Sequence, residues 1–140
     1  MVGQSLDLGH ISDSFAIAPQ LRPRDIETLR QMGYRAILIL RRDGEAPGQP
    51  NHAQIADAAG RLGIEARYMP VDPERMGPAD VRAFQLNVGA LPAPLVACSG
   101  TGRRAAALWA LSMAGRMPPL EILDACLMTG HDLSDLIDAL

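Results

Sequence analysis

The sequence predicts an α/β fold in which helices flank a central, mainly parallel sheet of about four to five strands. Strand-like and helix-like segments alternate in units of about 25 to 30 residues, as parallel strands with crossover helices require. The segment AILIL (36–40) is a continuous apolar run, typical of a strand covered on both faces. The length of 140 residues suits one domain, so we expect 1–140 to form a single unit.

The first half of the chain contains predicted strands over 15–18 and 36–40 and predicted helices over 22–33 and 52–62. The strand over 15–18 is the short apolar segment FAIA. The first helix has one apolar face, formed by Ile26, Leu29 and Met32. A glycine ends each helix, which is the usual residue at that position.

The second half continues the alternation with strands over 65–71 and 93–97, separated by a helix over 78–90. Pro78 suits the first turn of that helix because its missing N–H group has no partner there. The last third of the chain is helical. Its predicted helices cover 104–114, 119–128 and a short segment from 133.

Composition and charge exclude several classes of protein. Apolar residues make up 48% of the chain and charged residues 21%, an ordinary globular composition. The formal net charge of -3 gives no reason to expect nucleic acid or an anionic membrane as a partner. No apolar run approaches the ~20 residues that span a bilayer, and the amino terminus does not resemble a signal peptide. Two cysteines form no disulfide framework, so we expect a cytoplasmic location.

The segment CSGTGRR follows the strand over 93–97 and precedes a helix. In an open parallel sheet, ligands bind beyond such strand ends. Two glycines permit positive φ angles, so the N–H groups of the loop and helix start can converge on one anion. An arginine fork can hold two of its oxygens, and the same donors favour a cysteine thiolate. This constellation suggests phosphoryl transfer through a phosphocysteine. Its predicted phosphate-binding residues are Ser99, Gly100, Thr101, Gly102 and Arg103.

The same segment resembles the signature loop of protein tyrosine and dual-specificity phosphatases, where five residues separate cysteine from arginine. Further segments recur in order: GYRAILILRRDGEAPGQP, MPV, ALWAL after the loop, and EILDACLMTGHDL. Together they resemble a bacterial family of small phosphatase-like domains that also occur attached to beta-lactamase-like hydrolases. The resemblance covers about 15–133 and implies a cysteine-phosphatase fold.

The resemblance implies that Cys98 is the nucleophile and Arg104 the anion ligand. Three departures from the pattern stand out. Ala97 replaces the usual histidine before the cysteine, and Ala105 replaces the serine or threonine that commonly follows the arginine. Arg103 would instead give the four-residue spacing of rhodanese-like sulfurtransferases. We favour Arg104, because a change of length is easier in the loop than within the following helix.

A phosphatase also needs a group that protonates the leaving oxygen. Asp72 lies in the loop MPVDPERMG, which follows a strand, and is our first candidate. Asp43 in RRDGE, at another strand end, is the alternative acid, and Glu45 is the weakest of the three candidates. The adjacent arginines at 41 and 42 add positive potential or lie at the surface.

Several other residues have structural interpretations. Cys126 shares an apolar helix face with Ile122 and Leu123, so we interpret it as a core residue. Leu108 and Trp109 are expected to pack the helix behind the loop onto the sheet. The acidic residues near the carboxyl end form a solvated helix face: Asp132, Asp135 and Asp138.

The histidines predict neither a metal site nor a cofactor. His10, His52 and His131 are scattered, and none has a cysteine or carboxylate neighbour at ligand spacing. We therefore expect chemistry that depends on side chains and the backbone alone.

Three functions fit these observations. The leading hypothesis is a cysteine-dependent phosphatase acting on a phosphorylated protein or small molecule. The second is a sulfurtransferase that carries a persulfide on Cys98, which the four-residue spacing to Arg103 favours. The third is a phosphate-binding module with weak or no catalysis. Turnover of a phosphate ester separates the first from the third, and a sulfur adduct from thiosulfate identifies the second.

Overall fold

A computed structural model describes residues 6–140 and contains the predicted α/β fold. Five strands form one sheet in the order β1-β2-β5-β3-β4. β1 pairs antiparallel with β2, and the other pairs are parallel. The strand bounds are β1 Gly9–His10, β2 Phe15–Ala18, β3 Ala36–Ile39, β4 Glu65–Tyr68 and β5 Leu95–Cys98.

Helices cover both faces of the sheet, as the apolar strands require. The two helices α1 and α2 pack on one face, and α3, α4 and α5 pack on the other. A 3₁₀ helix, Ser134–Ala139, ends the chain. The helix bounds are α1 Asp25–Gln31, α2 His52–Arg61, α3 Pro78–Ala90, α4 Arg103–Ser112 and α5 Pro119–Leu127.

Strand β5 lies between β2 and β3, and this central position locates the cysteine loop. Cys98, its last residue, is in register with both Ala18 and Ile39. Three parallel strands therefore end side by side, and the segments that follow them converge at one edge of the sheet. Alternation of side chains turns Val96 and Cys98 toward α1 and α2, while the intervening alanine packs with α3, α4 and α5.

Several element bounds differ from the sequence prediction for local reasons. β1 was not predicted, because a two-residue strand carries no periodicity. β5 starts at Leu95, since Pro94 has no N–H group to donate to a neighbouring strand. β4 ends at Tyr68, although the N–H groups of Met69 and Val71 still donate to β3 and its next residue at 2.8 and 3.0 Å.

Neither a membrane-spanning helix nor a metal-binding cluster is found in the described part of the chain. Within residues 6–140, no helix has both the length and the apolar character needed to cross a membrane. The same residues contain no group of three or more histidine, cysteine or acidic side chains placed to hold a metal ion.

Candidate active site

The loop after β5 is fixed by backbone bonds to the segment after β2. Ser99 donates its N–H to the carbonyl of Ala18 at 3.1 Å, and Gln20 donates to the carbonyl of Gly100 at 3.2 Å. Gly102 then enters α4 with φ of 95°, a left-handed conformation that favours glycine. The loop thus joins a buried strand to the helix start, as the sequence predicted.

Both loop glycines also lie against side chains. A Cβ atom on Gly102 would lie 3.0 Å from Nε2 of His131, which is tighter than ordinary contact. On Gly100 it would lie 3.4 Å from Nε of Arg41. Gly102 therefore gives room to His131 in addition to permitting the turn, whereas Gly100 has no positive φ and its Cβ would meet Arg41 at ordinary contact distance.

A cavity of about 540 Å³ opens over this loop. One part of its wall is polar and includes Arg41, Glu45, Ser99, Thr101, Arg103 and Arg104. The rest of the lining includes the apolar residues Pro73, Met76, Ala107, Leu111 and Leu136. The cavity therefore suits a small anion attached to an apolar body.

Arg104 projects into the polar wall with only 10% of its side chain exposed. Nη1 donates to Oε2 of Glu45 at 3.0 Å and to the carbonyl of Leu40 at 3.2 Å. Nη2 donates to Oε1 of Glu45 at 2.9 Å. Nε is buried and has no hydrogen-bond partner among the described residues. Arg104 thus retains donor capacity beside the cavity.

Arg103 has a different environment from its neighbour. Its side chain is 46% exposed and its Nη2 contacts both carboxylate oxygens of Asp135, at 3.0 and 2.9 Å. Nη1 donates to the carbonyl of Asp132 at 2.9 Å. The guanidinium of Arg103 is therefore engaged by the terminal segment. Asp135 is exposed, as predicted, and it also pairs with this arginine 32 residues away.

Glu45 is a poor candidate acid, as the sequence analysis ranked it, but it pairs with more arginines than the sequence indicated. Its carboxylate accepts from Arg41, Arg42 and Arg104. These bonds outweigh the effect of burial and lower the pKa of Glu45 to about 2. Glu45 is ionised at neutral pH and cannot serve as a proton donor there. A sequence signal existed, since RRDGE places this acid within helical-turn distance of two arginines, but its bond to Arg104 spans 59 residues.

Cys98 lies beneath the loop and does not line the cavity. It is 2% exposed and packs in the cluster on the α1 and α2 side of the sheet. Burial raises the pKa of its thiol to about 12, although the backbone N–H groups of Leu21, Leu40 and Cys98 itself oppose this shift. The expectation of a favoured thiolate is therefore wrong for this conformation, because desolvation outweighs the nearby donors.

Ser99, the next residue, does line the cavity. It is fully buried, and its Oγ has no hydrogen-bond partner among residues 6–140. Buried hydroxyl groups normally have a partner, so Ser99 adds a free polar atom beside the donors of Arg104.

The two candidate acids differ in position. Oδ1 of Asp72 accepts from the N–H of Glu74 at 3.0 Å, and Oδ2 lies 3.7 Å from Nη1 of Arg42. Asp72 itself is partly exposed and lies next to Pro73, which lines the cavity. Like Asp43, Asp72 is not among the cavity-lining residues.

Asp43 instead holds the start of α2. Its Oδ1 accepts from the N–H of His52 at 2.8 Å, and its Oδ2 lies 2.6 Å from the Nδ1 atom of that histidine. The ring of His52 also stacks on Tyr68, with centroids 3.8 Å apart. His52 therefore has a carboxylate partner that its sequence neighbours did not indicate, and Asp43 is not among the cavity-lining residues.

Cys126 has the environment expected of a core residue. It is fully buried, and its Sγ lies 3.8 Å from the carbonyl of Ala106 in α4. Burial raises the pKa of its thiol to about 11. Leu108 is fully buried in the same cluster and Trp109 packs against it, as predicted.

Comparison with known proteins identifies the family of this chain. Residues 7–116 match the family described as beta-lactamase hydrolase-like protein, phosphatase-like domain. The beta-lactamase hydrolase-like protein of Agrobacterium fabrum is 35% identical over 125 residues. That match covers 88% of this chain but 29% of the relative, so the chain corresponds to less than a third of that protein's length.

Solved structures show the same fold. A candidate phosphatase from Neisseria meningitidis has a TM-score of 0.88 at 28% identity, with 96% of each chain covered. TpbA of Pseudomonas aeruginosa, crystallised with phosphotyrosine, has a TM-score of 0.71 at 16% identity, covering 99% of this chain and 83% of its own. The chain belongs to the phosphatase-like domain family of beta-lactamase hydrolase-like proteins and has the fold of tyrosine-phosphatase-like enzymes.

Proposed function

We propose that this protein is a cysteine-dependent phosphatase that hydrolyses phosphate monoesters through a phosphocysteine on Cys98. The observation that carries the proposal is the position of Arg104. Its guanidinium lines the cavity above the cysteine loop and keeps a buried Nε–H without a partner in the described chain. An arginine with free donors beside a loop of backbone amides is suited to a phosphate group.

The proposed reaction begins with loss of the Cys98 proton. In this step a phosphate monoester dianion bound at the loop takes the proton on one of its own oxygens as sulfur approaches phosphorus, and phosphate returns it to sulfur when the S–P bond later breaks. Sulfur then attacks phosphorus as the ester P–O bond breaks, and Asp72 gives its proton to the leaving oxygen. Water next attacks phosphorus while Asp72 takes its proton, which breaks the S–P bond and releases phosphate.

Access to Cys98 requires movement of the loop. The cysteine is 2% exposed and absent from the cavity wall, whereas Ser99 and Gly100 lie in that wall. Sulfur can reach a bound phosphorus only when these residues shift. The two loop glycines lower the cost of such a change because they have more accessible backbone conformations.

The cavity also favours a class of substrate. Its lining combines arginines with apolar residues, so the cavity suits a phosphate ester with an aromatic or apolar organic group. The phosphotyrosine seen with TpbA, which shares this fold, supports a phosphorylated protein or small molecule of this kind.

The position of Arg103 weighs against sulfur transfer. That reaction would use the four-residue spacing between Cys98 and Arg103, but Asp135 already engages this guanidinium. Arg104, at the five-residue spacing, is the arginine with free donors. We therefore propose phosphoryl chemistry in preference to sulfur chemistry.

The nucleophile is tested by replacing each cysteine in turn. We expect Cys98→Ser to lower the turnover of an aryl phosphate by at least about 10³-fold, because the covalent step loses its nucleophile. Cys126→Ser is the matched control, since this residue is also buried but lies in the core. Phosphate release measures both variants. Full turnover by Cys98→Ser would contradict the proposal, and no turnover by the native protein would favour the binding module.

The arginine is tested by two conservative substitutions. Arg104→Lys should lower kcat/KM for the aryl phosphate by about 10²–10³-fold, since a lysine cannot reproduce the two-pronged contact. Arg103→Lys should cost less than about tenfold, because its guanidinium binds Asp135. Steady-state kinetics on both variants provide the comparison. A larger loss of kcat/KM in Arg103→Lys than in Arg104→Lys, together with a 32-dalton adduct on Cys98 after exposure to thiosulfate, would indicate a sulfurtransferase.

The protonation state of Cys98 predicts a pH dependence. A thiol whose pKa is raised to about 12 is protonated at neutral pH, so its thiolate fraction rises about tenfold per pH unit between 7 and 10. We expect the rate of iodoacetamide alkylation of Cys98 to follow this slope in a Cys126→Ser background. Mass spectrometry gives the rates, and circular dichroism checks that the fold persists. A plateau already reached below pH 7 would show an activated thiolate instead.

A further inference from the structure

A second cavity adjoins the candidate active site. Its volume is about 430 Å³, and α3 supplies most of its lining residues. Met76 and Leu111 line both cavities, so the two cavities meet at these side chains. A ligand bound at the cysteine loop can therefore extend past Met76 and Leu111 into the second cavity.

One face of α3 forms the wall of the second cavity. Four lining residues follow each other at the three- and four-residue spacings of a single helix face: Pro78, Val81, Arg82 and Gln85. Leu86 lies one helical turn beyond Arg82 and is 68% exposed, which continues the apolar surface past the cavity. This wall thus combines apolar side chains with one cation and one amide.

Arg82 is the only charged residue among the described residues that line this cavity. Its side chain is exposed, and it makes no ion pair within residues 6–140. Asp80, two residues earlier, accepts from the N–H of Gly77 at 2.9 Å instead. An acidic group of a ligand can therefore pair with Arg82 without displacing a carboxylate of the protein, in contrast to Arg103 with its partner Asp135.

The size of the first cavity bears on which ligand reaches the second one. Its volume of about 540 Å³ is enough for a phosphate group that carries a single aromatic ring. The second cavity contributes binding only for a substrate that continues beyond that ring. A polypeptide continues in this way, since neighbouring residues of an extended chain follow at intervals of about 3.3 Å.

We propose that the second cavity binds substrate residues next to the phosphorylated one, and that the substrate is a phosphorylated protein with an apolar and an acidic residue at these positions. The apolar side chain packs against Val81 and Leu111, and the acidic side chain pairs with Arg82. This inference rests on the proposed function for the phosphate contact. The preference for an acidic neighbour can be measured by binding alone, without turnover.

Synthetic phosphotyrosine peptides test the charge preference. Each peptide carries a leucine and a glutamate within two residues of the phosphotyrosine, on its amino or its carboxyl side, and lysine replaces the glutamate in the matched peptide. We expect kcat/KM to be about 3–10-fold higher for the glutamate peptide on one of the two sides, and the difference to shrink in high salt because the contact is exposed. Equal values for both pairs would overturn the proposal.

The apolar contact is tested from the substrate, so that the fold of the protein is not changed. We expect serine in place of the leucine to lower kcat/KM of the preferred peptide by about 3–10-fold, because a partly buried leucine side chain is lost. Steady-state phosphate release provides the comparison. A peptide without the leucine that is turned over as fast as the original would contradict the apolar part of the site.

Reversal of one charge tests the role of Arg82. Arg82→Glu should reverse the preference, so that the lysine peptide becomes the better substrate. Arg35→Glu is the matched control, since it changes the net charge equally, is exposed, and precedes β3 at the opposite edge of the sheet. Thermal unfolding monitors both variants. An unchanged preference in folded Arg82→Glu, or an equal reversal in Arg35→Glu, would overturn the assignment of Arg82.

The two proposals fail separately, and fluorescence anisotropy with labelled peptides distinguishes the cases. Suppose that the native protein releases no phosphate, yet binds the glutamate peptide more tightly than the lysine peptide, and that Arg82→Glu reverses this order. The phosphatase function would then be wrong and the second binding site would stand. Equal turnover of all peptides and of a simple aryl phosphate would give the opposite result and would indicate a small-molecule substrate.

Discussion

Strand β5 is hydrogen-bonded to parallel strands on both sides, and the position of the site depends on this constraint. Cys98 is in register with Ala18 on one side and Ile39 on the other. The backbone beyond each strand must therefore leave the sheet at the same edge. This brings the segment after β2, the acidic and basic loop after β3, and the cysteine loop into contact. No long connection is needed to assemble them.

Two opposing electrostatic effects, desolvation and charge pairing, determine whether Cys98 and Glu45 are ionised. Desolvation dominates at Cys98, where burial raises the thiol pKa to about 12. Charge pairing dominates at Glu45, where three arginines lower the carboxyl pKa to about 2 although burial opposes them. The arginines of the cavity wall thus pair with the Glu45 carboxylate, and they do not lower the pKa of the Cys98 thiol. The proposed chemistry at Cys98 therefore depends on a bound anion and on a movement of the loop that lower the pKa of this thiol.

The sequence predicted the features that depend on local residue patterns. Apolar periodicity located four strands and the helices between them, and the segment from Cys98 to Arg104 is the loop over which the cavity opens. It could not predict contacts between distant segments. The pairs Glu45 with Arg104, and Arg103 with Asp135, join residues 59 and 32 positions apart. The roles of Asp43 at α2 and of the two-residue β1 were missed because no repeating pattern encodes them.

The most direct test of the central claim is detection of the covalent intermediate. The native protein is mixed briefly with an aryl phosphate, quenched in acid, and examined by intact mass spectrometry and peptide mapping. We expect a transient gain of about 80 daltons, the mass of one phosphoryl group, on the peptide that contains Cys98. Phenol release without any adduct on Cys98, or an adduct on another residue, would contradict the claim.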